Sequence, residues 1–343
     1  VLLALMASEI GYRIIENPIR SSMRIRQHAK RAFAIGLACI ALTIGAGLAI
    51  SQATFTIGSG IAERADFSDT SYLDAAILNQ VLPTNIQPSL LTAVEERSLI
   101  YRNGCHAFLE ELDPSEKCVF GDTESATRVA LFGNSHAAQW FVPLEKIARS
   151  EAWRLRTLTA GGCPFLGGST PNPYCTAWRE NSMQTIRDQH IKVVIVSQFY
   201  GSKPDDKNLS VSQWWQEELP LTISALRSVG AEPIILLDTP NHFRLDLLTC
   251  LSSHPNNIQL CGPTPSSLSQ WATISQAIES VASETGVAVI DPTDWFCLDD
   301  ICPPVVGDLL VYRDGHHMAD LFASQLEQLL GNTLIPLVDQ ATR

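Results

Sequence analysis

Positive charge is in short supply in this sequence. Its 343 residues carry 24 Lys and Arg against 36 Asp and Glu, a formal net charge of −12. That balance argues against a nucleic-acid partner for the chain as a whole. The basic residues are also unevenly placed. Arg13, Arg20, Arg24, Arg26, Lys30 and Arg31 crowd the start, so the remainder is more acidic than the total suggests. No internal repeat or low-complexity tract is present, which argues against a repeat architecture. Nor is there a Cys-x2-Cys pair among the nine cysteines, or a matching His spacing, and this weighs against a zinc site, the competing reading of a cysteine-rich chain. Cys39 stands alone in an apolar run, while the other eight fall into sequence neighbours. Eight cysteines allow about 105 pairings. The expectation is neighbour pairing, Cys105–Cys118, Cys163–Cys175, Cys250–Cys261 and Cys297–Cys302, which implies an oxidising compartment.

Charge of either sign is missing from Ala32 to Ile50, and none returns until Glu63. The nineteen residues 32–50, at about 1.5 Å rise each, can span a bilayer core of roughly 30 Å. A cleaved signal peptide or a buried helix of a soluble domain are the alternatives. The apolar opening, Val1 to Ala7, argues against a signal peptide. Two apolar segments with Arg and Lys between them read as the end of one membrane helix, a cytoplasmic loop and a second helix leading out. Residues after about 53 are then extracytoplasmic, in agreement with the cysteines. The chain opens on Val1 and not on Met, so it reads as a piece of a longer protein. Residues 54–104 read as an ordered connector, with short helices over Tyr72 to Leu82 and Leu90 to Arg102.

From Ala126 strands and helices alternate. Strands are predicted at Arg128–Phe132, Arg154–Thr159, Lys192–Ser197, Pro233–Leu237 and Val287–Ile290. Helices are predicted at Ala137–Ser150, Thr176–His190, Ser212–Val229 and Ser267–Thr285, with a last one after His317. That alternation implies an α/β domain, a parallel sheet with helices on both faces.

The first strand breaks at Gly133 and delivers Ser135 to the carboxyl edge of the sheet, beside a helix N-terminus. A serine there is either a helix cap or a nucleophile. A nucleophile needs a base and the base an orienting group. Of the eight histidines, His106, His190, His242 and His254 lie in or beside turns and read as surface residues. His136 reads as capping or packing. Asp314 and His317, in Tyr312-Arg-Asp-Gly-His-His-Met318, are three apart at the start of the last helix, which puts both side chains on one side of a turn. Asp314 either caps that helix or holds the ring of His317 so that its Nε2 can take a proton from a serine. Trp178, Trp214, Trp215, Trp271 and Trp295 are core residues or the lining of a sugar cleft.

Gly133-Asn-Ser-His136 resembles the first block of the SGNH (GDSL-like) hydrolases, and Asp314-Gly-His-His317 their last block, Asp-x-x-His. Asn103-Gly-Cys105, Cys118-Val-Phe-Gly121 and Gly162-Cys-Pro164 resemble marks of an SGNH subgroup fused to membrane domains. With Tyr12-Arg-Ile-Ile-Glu-Asn-Pro-Ile-Arg20 before a last membrane helix, the chain is similar to the C-terminal part of a bacterial acyltransferase-3 O-acetyltransferase. The resemblance implies a three-layer α/β/α, flavodoxin-like SGNH domain, preceded by one complete transmembrane helix and the end of another. The expected division is 1–31, membrane-domain end and basic loop; 32–53, transmembrane helix; 54–104, connector; 105–343, SGNH domain. Ser135 is the expected nucleophile, His317 the base and Asp314 its orienter. Gly162 is either a turn glycine or a backbone oxyanion donor. Asn134 replaces the family's Asp. The family's oxyanion Asn is missing from Val196-Ser-Gln-Phe-Tyr200, where Gln198 is the substitute candidate. No cofactor or metal is expected on this domain, with acetyl-CoA the ultimate donor to an upstream membrane domain. The expected acceptor is a surface polysaccharide or lipid-linked glycan of the O-antigen kind, and the expected place is the bacterial inner membrane, facing the periplasm. A membrane-anchored carbohydrate esterase is the alternative, and a non-catalytic carbohydrate-binding domain a third reading.

Overall fold

A computed structural model describes residue 6 and residues 9–22, 28–52, 57–108, 117–168, 172–204, 208–241 and 246–343. The chain forms two compact units, Val1–Thr56 and Ile57–Arg343. In the first, a π-helical turn (Tyr12–Glu16) runs into a short helix, α1 (Asn17–Ser21). The charge-free run lies in α2 (Ala29–Gln52). It is rich in Ala, Leu and Ile and free of proline, so nothing interrupts the backbone ladder. Thr43 returns its hydroxyl to the carbonyls of Cys39 and Ile40, leaving α2 without an unsatisfied polar side chain there. Phe33, Leu37, Ile40, Leu42, Ile44 and Leu48 are exposed. Among the described residues no helix is long and apolar enough to cross a membrane. Most of the apolar opening (residues 1–5, 7 and 8), Arg24, Arg26 and His242 lie outside the described residues.

The second unit is built on a seven-stranded sheet. Its strands are β1 (His106–Ala107), β2 (Val119–Gly121), β3 (Arg128–Gly133), β4 (Arg154–Ala160), β5 (Val193–Ser197), β6 (Glu232–Leu236) and β7 (Ala288–Ile290). The order is β1-β4-β3-β5-β6-β7, all parallel, with β2 antiparallel on β4. The five main strands thus follow the flavodoxin order, and the switch point lies at the carboxyl end of β3. The strands are buried almost throughout, and successive side chains alternate between the two faces of the sheet. Val129, Leu131, Val193, Ile195, Ile234 and Leu236 feed one core, and Ala130, Phe132, Leu158, Val194, Val196 and Ile235 feed the other. Both faces are covered, as a parallel sheet requires.

The expected strands are all present within a residue or two. The helices between them are α5 (Ser135–Ala138), α6 (Phe141–Ser150), α7 (Pro173–Asp188), α8 (Val211–Ser228) and α10 (Pro265–Thr285), with α9 (Leu247–Ser253) an extra turn before α10. Two differences bear on the site. The helix expected over Ala137–Ser150 is interrupted at Gln139 and Trp140. The Asp-x-x-His segment does not open the last helices, α11 (Asp320–Ala323) and α12 (Glu327–Thr342); it lies in the loop before them, closed by the hydrogen bond from Arg313 N to His317 O at 2.9 Å. Residues 57–104 hold α3 (Tyr72–Leu78) and α4 (Leu99–Arg102), and Leu73, Leu82, Ala93 and Ile100 are core residues of this unit. All four neighbour disulfides are formed, and Cys39 is free. The five tryptophans named above are buried, so they are core.

Candidate active site

Ser135 is placed by the turn that ends β3. Gly133 has φ +152°, and a Cβ there would stand 1.9 Å from the carbonyl oxygen of Ser197 on the neighbouring strand. Only glycine fits that approach. Asn134 then caps α5, its Oδ1 accepting the N–H of His136 at 2.9 Å and of Phe199 at 3.2 Å. These two acceptor bonds are what an aspartate would make, so the family's Asp is replaced without loss of the turn.

The loop after β8 (Val305–Val306) and β9 (Leu309–Leu310) brings in the far end of the chain. It is pinned by the Tyr312 hydroxyl on the carbonyl of Pro240 and by Met318 N on Gln139 Oε1 at 2.9 Å. Held there, His317 Nε2 lies 2.9 Å from Ser135 Oγ, and His317 Nδ1 lies 2.8 Å from Asp314 Oδ2. Asp314 Oδ1 accepts the N–H groups of His316 and His317 at 2.9 and 2.7 Å. Asp314 caps no helix here: one of its oxygens holds the turn through the two backbone N–H groups, and the other holds the ring of His317. Burial pushes the Asp314 carboxyl up, but the hydrogen bond and charge of His317 and the two backbone N–H groups outweigh it, and the group ends well below the carboxylate range. Burial holds His317 below its ordinary value, against the pull of Asp314. A neutral imidazole with an ionised carboxylate behind it is the resting state a general base needs.

Gly162 lies in the loop after β4. Gly133 pairs with Thr159 across β3 and β4, so this loop leaves the sheet at the same edge as Ser135. Gly162 has φ +71° with open space where a Cβ would be, a bare backbone facing outward. Gln198 ends β5. It is buried, its Oε1 accepting the N–H of Leu166 at 3.3 Å, and its Nε2 is buried without a partner among the described residues.

Sequence reasoning missed a second system beside the first. Asp238, just past β6, and His136 are both fully buried, with His136 Nδ1 2.5 Å from Asp238 Oδ1. His136 Nε2 lies 2.9 Å from His316 Nδ1. Burial lowers His136 well below its ordinary value and raises Asp238 to about 7; the imidazole is therefore neutral. The available signal was an aspartate ending an apolar strand, together with the doubled histidine. His106, expected at the surface, is buried beside Tyr101. Burial pushes it down to about 3, and its Nδ1 meets Thr159 at 3.0 Å. It is a core histidine because β1 is added to the edge of β4. His190 and His254 are exposed.

The ring nitrogens of His136, His316 and His317 lie within 4.8 Å of one another, as a metal site would require. The hydrogen bonds to Asp238, Asp314, Ser135 and between His136 and His316 account for that convergence. Cys250 and Cys261, the sulfurs near His254, are joined in a disulfide.

Residues 104–331 match the family described as an SGNH domain fused to AT3 domains. The periplasmic domain of a lipopolysaccharide acetyltransferase from Salmonella ser. Paratyphi A is structurally similar, with TM-score 0.56 and 18% identity over 73% of this chain and 98% of that one. More distant likenesses include an acylhydrolase-like protein from Bacteroides fragilis (TM-score 0.39, 10% identity, 65% of this chain and 91% of that one). Another is a carbohydrate acetylesterase from Sinorhizobium meliloti (TM-score 0.39, 12% identity, 61% and 99%). No curated protein sequence matches the chain.

Proposed function

The chain belongs to the family of SGNH domains fused to AT3 domains, and on that premise we propose that it is an O-acetyltransferase acting on a hydroxyl of a cell-surface glycan. The observation that carries the reading is the unbroken line Asp314–His317–Ser135, with contacts of 2.8 and 2.9 Å. The serine proton moves to His317 Nε2 as Oγ attacks the acyl carbonyl. The donor's leaving group takes that proton, and an acyl-serine ester remains. The glycan hydroxyl then gives its proton to His317 and attacks. The bond to Oγ breaks, and Oγ recovers the proton. The backbone N–H of Gly162 and the side-chain amide of Gln198 are the proposed donors to the carbonyl oxygen as it becomes an oxyanion.

The same family supports a proposed setting. The segment 32–53, which runs past the described residues of α2, is the proposed final membrane span, its basic flank cytoplasmic and the residues after about 53 periplasmic. An upstream acyltransferase-3 domain of the same protein would draw acetyl groups from acetyl-CoA, with no cofactor held by this domain. The four disulfides suit that compartment.

Ser135→Ala in the intact protein, in cells lacking the native copy, tests the reading. Surface-glycan acetylation measured by mass spectrometry falls to background. Unchanged acetylation removes Ser135 from the mechanism. The same triad serves a periplasmic carbohydrate esterase if water replaces the glycan, and acyl transfer to an added alcohol separates the two.

A further inference from the structure

Two carboxylate–imidazole systems lie side by side at the carboxyl edge of the sheet, and the proposed reaction uses only one. The second runs from Asp238 through His136 to His316, with contacts of 2.5 and 2.9 Å. It begins in full burial and ends on a ring that is half-exposed. The Phe199 ring stacks on His136 at 4.4 Å and on His316 at 4.7 Å, fixing both planes. The ring of His316 lies 4.1 Å from that of His317. Nε2 of His316 has no partner among the described residues, whereas Nε2 of His317 holds Ser135.

The hydrogen bonds set the polarity of this chain of groups. Asp238 accepts the N–H of Thr239 at 2.9 Å and of Tyr200 at 3.0 Å. In its ionised form Asp238 only accepts, and its contact with His136 then puts the proton on Nδ1 of that ring. Nε2 of His136 is then a bare lone pair, and it accepts from Nδ1–H of His316. Nε2 of His316 is left as a lone pair pointing the same chemical way as Nε2 of His317. A tie between strand ends and a loop does not need this. Burying a carboxylate and an imidazole costs more than an apolar pair of the same volume would. What the arrangement supplies is a hydrogen-bond acceptor of fixed tautomer and orientation, one ring away from the nucleophile.

We propose that His316, oriented by Asp238 through His136, accepts a hydrogen bond from a hydroxyl of the incoming alcohol and so favours a polyhydroxy acceptor over water at the acyl-serine. His317 remains the base for both steps; His316 is a positioning and specificity residue. The inference rests on the acyl-serine reading above.

The test is partitioning of the acyl-enzyme. The full chain in detergent receives 4-nitrophenyl acetate as donor and glycerol as a small polyol acceptor; nitrophenol release reports acylation and the glyceryl ester-to-acetate ratio reports partitioning. In the native protein, transfer per mole of glycerol exceeds hydrolysis per mole of water. His316→Asn keeps an N–H donor for His136 Nε2 and removes the outer nitrogen. In it the partition ratio falls about tenfold, by more than acylation falls. His316→Gln, whose amide reaches the Nε2 position, recovers part of the ratio. A ratio unchanged in His316→Asn, a parallel fall of acylation and transfer, or a native ratio that already follows concentration each overturns the proposal. Loss of the acyl-enzyme is read separately from Ser135→Ala: if that variant still forms it, the nucleophile assignment fails instead.

Discussion

His317 is asked to be neutral at rest and positive in passing, and its surroundings are set for the first condition. Burial comes first among the causes that hold its pKa below the ordinary value; the Asp314 hydrogen bond and charge pull the other way without prevailing. The sign of the pH dependence follows. A base whose folded-state pKa is lowered stays competent as pH falls, until the pH passes that lowered value. The acid limb of kcat/KM for acetyl-ester cleavage is expected below about 6.5, the unperturbed histidine value, with the rate lost on the acid side. Asp314 stays ionised across that range, since its own pKa lies below that of an ordinary carboxylate. A pH–rate profile from 4 to 9 measures the limb. An inflection near 7 that disappears in Asp238→Asn belongs to Asp238, which burial raises to about 7. A limb above 7 that survives that substitution contradicts the assignment of His317 as the neutral base.

At the scale of elements, the site is a set of strand ends. β3 delivers Ser135, β4 the Gly162 loop, β5 Gln198 and β6 Asp238, all at one edge because the sheet is parallel. Much of this was legible: an apolar run stopped by Gly133 specifies strand, turn and helix, and the four cysteine pairs close loops only 5 to 13 residues apart. What was not legible is which strand ends meet which loop. Asp238 and His136 are 102 positions apart, and no local periodicity encodes their contact. His106 was misplaced for the same reason, because the edge pairing of β1 with β4 is a tertiary event. Gln198 is the candidate substitute for the family's oxyanion Asn. Its Nε2 is a buried donor without a partner among the described residues, a costly state unless something accepts from it. Gln198→Glu keeps Oε1 for the N–H of Leu166 and replaces the donor. If Nε2 serves the oxyanion, kcat for acetyl-ester cleavage drops on the order of 100-fold, with the fold intact by circular dichroism. A change of no more than about threefold would leave Gln198 as a packing residue and the main-chain donors as the whole oxyanion hole.

At the scale of the whole unit, the segment between α2 and the sheet is a belt. The resemblance implies a start of the SGNH domain at residue 105, and the family match begins at residue 104, yet the compact unit that holds the sheet starts at Ile57. Tyr72 packs against Phe67 and sends its hydroxyl to the Trp295 carbonyl at 2.6 Å. Arg64 grips Asp308 through Nε and Nη2 at 2.5 and 2.9 Å. Glu96 accepts the N–H groups of Asp320 and Leu321 at 2.9 and 2.7 Å, capping α11 directly after the loop that carries His317. The guanidinium of Arg313, next to Asp314, donates to the Glu96 carbonyl at 3.3 Å and lies over the ring of Tyr101. The belt therefore covers core and braces the base at once. Removing it exposes Val305, Val306 and Phe322, which pack in the same core as Phe67 and Tyr72. Burial of each such side chain contributes about 1.5–3 kcal/mol, a sum comparable with the whole stability of a domain, about 5–15 kcal/mol. A chain begun at residue 57 is expected to melt cooperatively and to cleave acetyl esters. One begun at residue 105 is expected to lose its near-ultraviolet circular dichroism and its cooperative transition, even with all four disulfides closed. If the shorter chain melts within a few degrees of the longer one and keeps its rate, the belt is dispensable, and the bracing of His317 has to come from the Asp314 turn alone.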